Sequence, residues 1–248
     1  MRQRQQTGCC DLSISGLQLV TRDFCLPKRF LIPLGYEDVG CLKLLREGAA
    51  LAGDIEPTKA FKSQILPGST TLQRLTIAAS KRNAMILSMT KRTGDKPMDE
   101  QLVLETEEEV AKGWAVGPIP VEDLPEGALI SRRFALQQGS KTRMIDDYSV
   151  SSIKDSACLH NKIDLHMIDT FCAVVKRYFE QCGASGLVSS LVGKTYDLKS
   201  AYRQVPANLD HLQYSFFSIL NYGRDCTEVY QLLTLPFGAV HSVYTIPF

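Results

Sequence analysis

Between Ser185 and Pro206 the chain reads SGLVSSLVGKTYDLKSAYRQVP, and two kinds of nucleotide chemistry overlap in it. Gly193-Lys194-Thr195 has the form of the end of a phosphate loop, where backbone N–H groups and a lysine cradle phosphates. Asp197 closes a short apolar segment and offers carboxylate oxygens, the ligands Mg²⁺ prefers when it shares a substrate's phosphates. Small Ser200 and Ala201 would let backbone approach a triphosphate, and the Tyr202 ring could pack on a sugar and leave no room for a 2′-hydroxyl. A helix N-cap aspartate followed by a core tyrosine accounts for the same residues.

The phosphate loop fails on spacing. Its pattern, G-x-x-x-x-G-K-[ST], needs glycine where Val188 stands, and Gly186 lies two positions too far upstream. TYDL also continues as strand where the loop needs a helix to open at the lysine.

Asp197 and Tyr202 must be positioned by other elements. TTLQRLTIAASKRNAMILSMTKR, after a Ser69 N-cap, predicts a helix ending near Gly94. Thr106 and Glu109 have capping-box spacing and predict a second helix start, with Gly113 as its stop. WAVGPIPVEDLPEG, with Pro118, Pro120 and Pro125, reads as loop. ALISRRFALQQ and KTRMIDDY flank Gly139-Ser140 and predict a hairpin. Asp164–Glu180 has helical spacing, LVGKTYDL reads as a short strand, and QYSFFSIL and TEVYQLLTL form a second hairpin around NYGRD. Helices alternating with antiparallel hairpins predict an α+β fold.

Composition sets broad limits. The 248 residues are 44% hydrophobic and 22% charged, as in ordinary globular proteins. No apolar run is long enough to span a bilayer and the N-terminus lacks a secretory pattern, so the chain reads as intracellular, nucleus or cytoplasm not distinguished, with no membrane partner. The net charge of +1 conceals a gradient: Met98–Ala128 carries nine acidic residues against Lys112, whereas Ser131–Gln204 carries eleven basic against seven acidic. Such a basic zone suits phosphates, and equally a solvated helix face. The eight cysteines form no C-x-x-C pair and the four histidines complete no zinc spacing, so reduced, mostly buried thiols are expected.

Taken in order, four stretches from about Thr106 to Val243 resemble the fingers and palm of reverse transcriptases, RNA-directed DNA polymerases, especially those of retrotransposons. TEEEVAKGWAVGPI is similar to the segment before the fingers, SRRFALQQGSKTRMIDDYS to the basic fingers hairpin, YDLKSAYRQV to the first catalytic palm motif, and LLTLPFGAVHS to the L/M-P-x-G motif. The resemblance implies a right-hand polymerase fold with an incomplete palm over 98–248, after an N-terminal region 1–97 of unknown role. It implies Asp197 as catalytic Mg²⁺ ligand and Arg143 as a contact to the dNTP triphosphate, with Arg132 or Arg133 as a second cationic contact. Tyr202 is placed at the sugar, Phe237 and Gly238 along the nucleotide pocket, and Gln204 beside the tyrosine. Asp146 and Asp147 belong to the fingers motif, where the aspartate is structural.

Template-primer of RNA or DNA and dNTPs are the implied partners, and two-metal nucleotidyl transfer the implied reaction of an intact enzyme. That reaction needs carboxylates on both ions. The family's further pair lies in a Y-x-D-D hairpin not found in these 248 residues, so the chain as given is expected to be inactive alone. A non-catalytic remnant that binds nucleotide or nucleic acid is the alternative; an NTPase using Gly193-Lys194-Thr195 and an α+β interaction protein are the other functions these residues allow.

Overall fold

The computed structural model describes residues 40–57, 61–163, 168–186, 190–192, 194 and 199–245. The chain divides into two units, Met1–Arg46 and Glu47–Phe248. The described part of the first belongs to helix α1 (Gly40–Glu47).

The second unit is α+β. Strands β2 (Ala115–Ile119), β3 (Ile130–Gln138), β4 (Lys141–Asp147), β6 (Phe216–Asn221) and β7 (Cys226–Leu232) form one sheet in the order β2-β7-β6-β3-β4. Every neighbouring pair is antiparallel except β3 with β6, which makes the sheet mixed. Two further strands, β1 (Lys62–Leu66) and β5 (Leu159–Lys162), pair antiparallel as a separate small sheet.

Because side chains alternate along a strand, the central strands bury both faces. On one, helix α4 (Lys96–Ala111) sets Leu102 against Ala135, Met144, Phe217, Ile219, Tyr230 and Leu232. On the other, helix α3 (Ala79–Met89) packs Ile86 against Ile130, Phe216 and Val229. Helix α2 (Leu72–Ile77) adds Leu75 to a third cluster with Leu129, Tyr148, Ile153 and Tyr214.

Both hairpins form where the turn residues place them. Gly139 takes φ +61° at the first of two turn positions, where a II′ turn calls for glycine. Between β6 and β7 the turn is Tyr222–Asp225, and the Asn221 side chain accepts the Gly223 and Arg224 N–H groups.

Three expectations are corrected. The helix expected after Ser69 is capped by Thr71, is broken into α2 and α3 at Ala78, and ends before Thr90. Thr106 does not start a helix: α4 begins at Lys96 after the N-cap Asp95, whose carboxylate accepts the Met98 N–H at 3.2 Å, with Pro97 in the first turn. Thr106 lies buried mid-helix, its hydroxyl donating to the Leu102 carbonyl at 2.8 Å, because a capping box acts only where the preceding backbone leaves the helix. The third is Ala115–Ile119, a strand rather than loop. Its Pro118 is tolerated because β2 is an edge strand whose register with β7 shifts between Val116 and Ile119.

The helix expected over Asp164–Glu180 is α5 (Ile168–Ala184), whose Ile168, Phe171, Val174 and Phe179 are exposed. The expected strand LVGKTYDL falls largely outside the described residues. Among those residues no helix is long and apolar enough to cross a membrane.

Candidate functional site

A surface on the free edge of β4 gathers residues from three distant segments. The chain from Val205 to Ala207 pairs with Leu233–Leu235: Leu235 N–H donates to the Val205 carbonyl at 3.0 Å and Ala207 N–H to Leu233 at 2.9 Å. The following Leu235-Pro236-Phe237-Gly238 turn meets the edge strand, where Asp146 N–H donates to the Phe237 carbonyl at 2.9 Å. Ser242 braces the turn by donating to the Pro236 carbonyl at 2.6 Å.

This docking brings together four of the residues singled out in the sequence. The Tyr202 and Phe237 rings meet edge to face with centroids 5.7 Å apart, and the Arg143 guanidinium lies 5.6 Å from the Phe237 centroid. Tyr202 and Phe237 are half-buried; Arg143 and Gly238 are exposed. Gly238 has φ +113°, and a Cβ there would stand 2.7 Å from the Asp146 carbonyl oxygen, so both conformation and space call for glycine. Tyr202 belongs to a 3-10 turn, Ala201–Gln204, entered through Ser200 at φ +53°. Gln204 is exposed and donates to the Lys199 carbonyl. Asp197 lies outside the described residues, as do Gly193 and Thr195.

Arg132 and Arg133 point elsewhere, and differently from each other, as neighbours on a strand must. The Arg133 side chain is fully buried, donating from Nε to Asp146 Oδ1 and from Nη1 to Glu109 Oε2, each at 2.7 Å. Its guanidinium also lies 3.6 Å from the Phe217 ring centroid. Burial opposes its charge, but the Asp146 and Glu109 carboxylates more than offset this and hold it well above the ordinary arginine range. Arg132 keeps some exposure, stands 3.5 Å from Asp147 Oδ2, and lines a cleft of about 260 Å³ with Lys91, Arg92, Asp99 and Phe134. Arg143, Tyr202 and Phe237 are not among that cleft's lining residues.

Sequence reasoning missed the partner that completes the Arg133 cluster. Arg203, beside Tyr202, turns inward: Nε donates to Glu109 Oε1 at 2.6 Å, Nη1 to the Leu235 carbonyl at 2.6 Å, and Nη2 stands 3.5 Å from Asp146 Oδ2. Two cations and two anions thus join α4, β3, β4, the 3-10 turn and the Leu235 segment in the interior. Asp146 is used up in this cluster, and Asp147 accepts the Ser149 and Val150 N–H groups at 3.1 and 3.3 Å while facing Arg132. Both carboxylates are thus held by contacts within the fold.

One group of potential metal ligands converges among the described residues: Asp54, Cys158 and His160, whose ligand atoms all lie within 4.8 Å of one another. The cysteines whose burial is described, Cys158, Cys172, Cys182 and Cys226, are free and half-buried or exposed, against the expectation of mostly buried thiols. The only sequence trace of the triad is the C-x-H spacing of Cys158 and His160, which puts both side chains on one face of an extended segment. Asp54 joins them through a parallel bridge to Cys158 that nothing local announces. A scan against protein-family models finds no match to the chain, and a search of curated proteins finds none either.

Proposed function

We propose that the chain is a reverse-transcriptase-like unit, fingers with part of a palm, whose intact form adds dNTPs to a primer 3′ end with Mg²⁺ and a nucleic-acid template. The observation that carries this reading is the meeting of Arg143, Tyr202 and Phe237, from motifs up to 94 positions apart, on one accessible surface. In it Arg143 binds the triphosphate, Phe237 and Gly238 line the nucleotide pocket, Tyr202 faces the sugar, and Asp197 ligates Mg²⁺. Of the two arginines offered for a second cationic contact, Arg132 has solvent access and Arg133 serves the interior. Transfer by two metals needs carboxylates besides Asp197. Asp146 and Asp147 are engaged with Arg133, Arg203 and Arg132, which favours nucleotide binding without primer extension for this chain alone.

Titration of the chain with Mg²⁺·dTTP tests the reading. Arg143→Ala should weaken binding by about 10- to 100-fold, the range for losing a charged hydrogen bond. Tyr202→Val should narrow the preference over the ribonucleotide, and Asp197→Asn should remove the Mg²⁺ dependence. Extension of oligo(dT) on poly(rA) should be nil. Binding abolished by Lys194→Ala and indifferent to Asp197→Asn would replace this reading with a phosphate loop; no nucleotide binding at all would end both.

A further inference from the structure

We propose that Asp54, Cys158 and His160 form a binding site for Zn²⁺ or a similar borderline divalent ion, separate from the Arg143–Tyr202–Phe237 surface and independent of the nucleotide reading. The donor set carries the choice of metal. Thiolate, imidazole and carboxylate together suit zinc, whereas Mg²⁺ takes oxygen.

The geometry is convergent. Asp54 Oδ1 lies 2.7 Å and Cys158 Sγ 3.8 Å from the same atom, His160 Nε2. In a tetrahedral zinc site, bonds of about 2.0–2.3 Å put neighbouring ligand atoms roughly 3.3–3.6 Å apart. Opening the Asp54 contact by a few tenths of an ångström and closing the sulfur contact slightly would admit the ion. Asp54 is largely exposed, so that side can move and water can fill a fourth position.

The same atoms argue against the other chemistry a Cys-His-Asp trio suggests. In a nucleophilic triad the carboxylate holds one ring nitrogen and the nucleophile meets the other. Here both approach Nε2, which is how ligands gather around one ion.

The surroundings are built to hold the three groups. Cys158 and Gly53 are hydrogen-bonded through Cys158 N–H and the Gly53 carbonyl at 3.2 Å, and Ile55 N–H returns to the Cys158 carbonyl at 3.1 Å. Gly68 packs against the Asp155–Ser156 backbone just before Cys158. Gly68 can have no side chain, since a Cβ would stand 2.8 Å from the Asp155 carbonyl oxygen. Bound metal would therefore clamp the segment around Asp54 to the start of β5.

The test uses the full reduced chain, freed of metal, titrated with ZnCl₂ by calorimetry and with Co²⁺ by absorption. One equivalent should bind, Co²⁺ should show a thiolate charge-transfer band, and zinc should raise the thermal midpoint. Cys158→Ser should abolish the band, and Cys158→Ser, His160→Gln and Asp54→Asn should each weaken zinc binding by about tenfold or more. Cys172→Ser and Cys226→Ser should leave it unchanged. Asp54→Asn, at an exposed position, guards against loss of folding as the explanation. In the parent chain, zinc should shield Cys158 but not Cys172 from iodoacetamide. Absence of the band, zinc uptake that survives Cys158→Ser and Asp54→Asn, or alkylation of Cys158 unaffected by zinc overturns the site.

Discussion

Arg203 and Tyr202 are adjacent and do opposite things, one locked into the interior and the other facing the candidate site. Removing one member of a buried ionic cluster leaves uncompensated charge and costs about 3–5 kcal/mol. Arg203→Met should therefore destabilise the chain by that order in denaturant unfolding, and Arg203→Met with Glu109→Gln should cost less than the two single changes summed. Strict additivity would show that the two side chains do not act together. His241 is a second buried polar group, its Nε2 3.2 Å from the Gly53 carbonyl. Burial pushes its pKa down to about 4, against a smaller opposing pull from the Gly53 hydrogen bond. The folded imidazole stays neutral where an unfolded one, titrating near 6.5, takes a proton, so the unfolded state binds more protons in between. Stability should be complete above pH 6.5 and fall by on the order of 3 kcal/mol as pH drops towards 4. His241→Gln, which can still donate to Gly53, should reduce that dependence when urea midpoints are compared across the range. It should not abolish it, because half-buried His211, whose Nδ1 accepts the Leu51 N–H, is shifted in the same direction.

The decisive element is the Leu235–Gly238 turn against the edge of β4. Gly238→Ala should destabilise by about 1–3 kcal/mol through strained backbone and the close Asp146 carbonyl. Gly139→Ala offers the contrast: its φ is also positive but no atom lies within 4 Å of a Cβ there, so the cost should be smaller. Wild-type-like stability for Gly238→Ala in thermal unfolding would mean that the turn does not sit against β4 as described. These turns were legible in the sequence because glycine there has a local reason. The Thr106–Glu109 pattern misled because the same four residues occur inside a helix, and β2 was hidden by prolines that only an edge strand tolerates. Choosing between Arg132 and Arg133 needed the facing of a strand in which both neighbours are charged, and alternation alone does not say which is inside. Glu109 sits in the last turn of α4, where the helix dipole disfavours acid; Arg133 and Arg203, from the basic half of the chain, supply the compensation. The charge gradient was visible in the sequence, but the pairing across it was not.

For the whole molecule, the motifs that suggest a function begin near Thr106, yet the core does not. Ala49, Leu51, Leu75 and Ile86 are buried, Ala49 exchanges hydrogen bonds with Pro206 and Asn208, and Gly53 receives His241. A chain trimmed to residues 98–248 should consequently lose cooperative unfolding, whereas one starting at Glu47 should keep it; equal transitions for both would show that these contacts contribute little. Long-range pairing of this kind is what a sequence conceals most completely, and Asp54 with Cys158, 104 positions apart, is the same case. The buried cluster of Glu109, Arg133, Asp146 and Arg203 has a consequence on an evolutionary scale. Each charge is balanced by the others, so the four positions should behave as a single inherited character, kept together or exchanged together for apolar residues. Tyr202, half-buried against Phe237, takes no part in that balance. Related chains should therefore covary at the four interior positions, with position 202 varying independently of them.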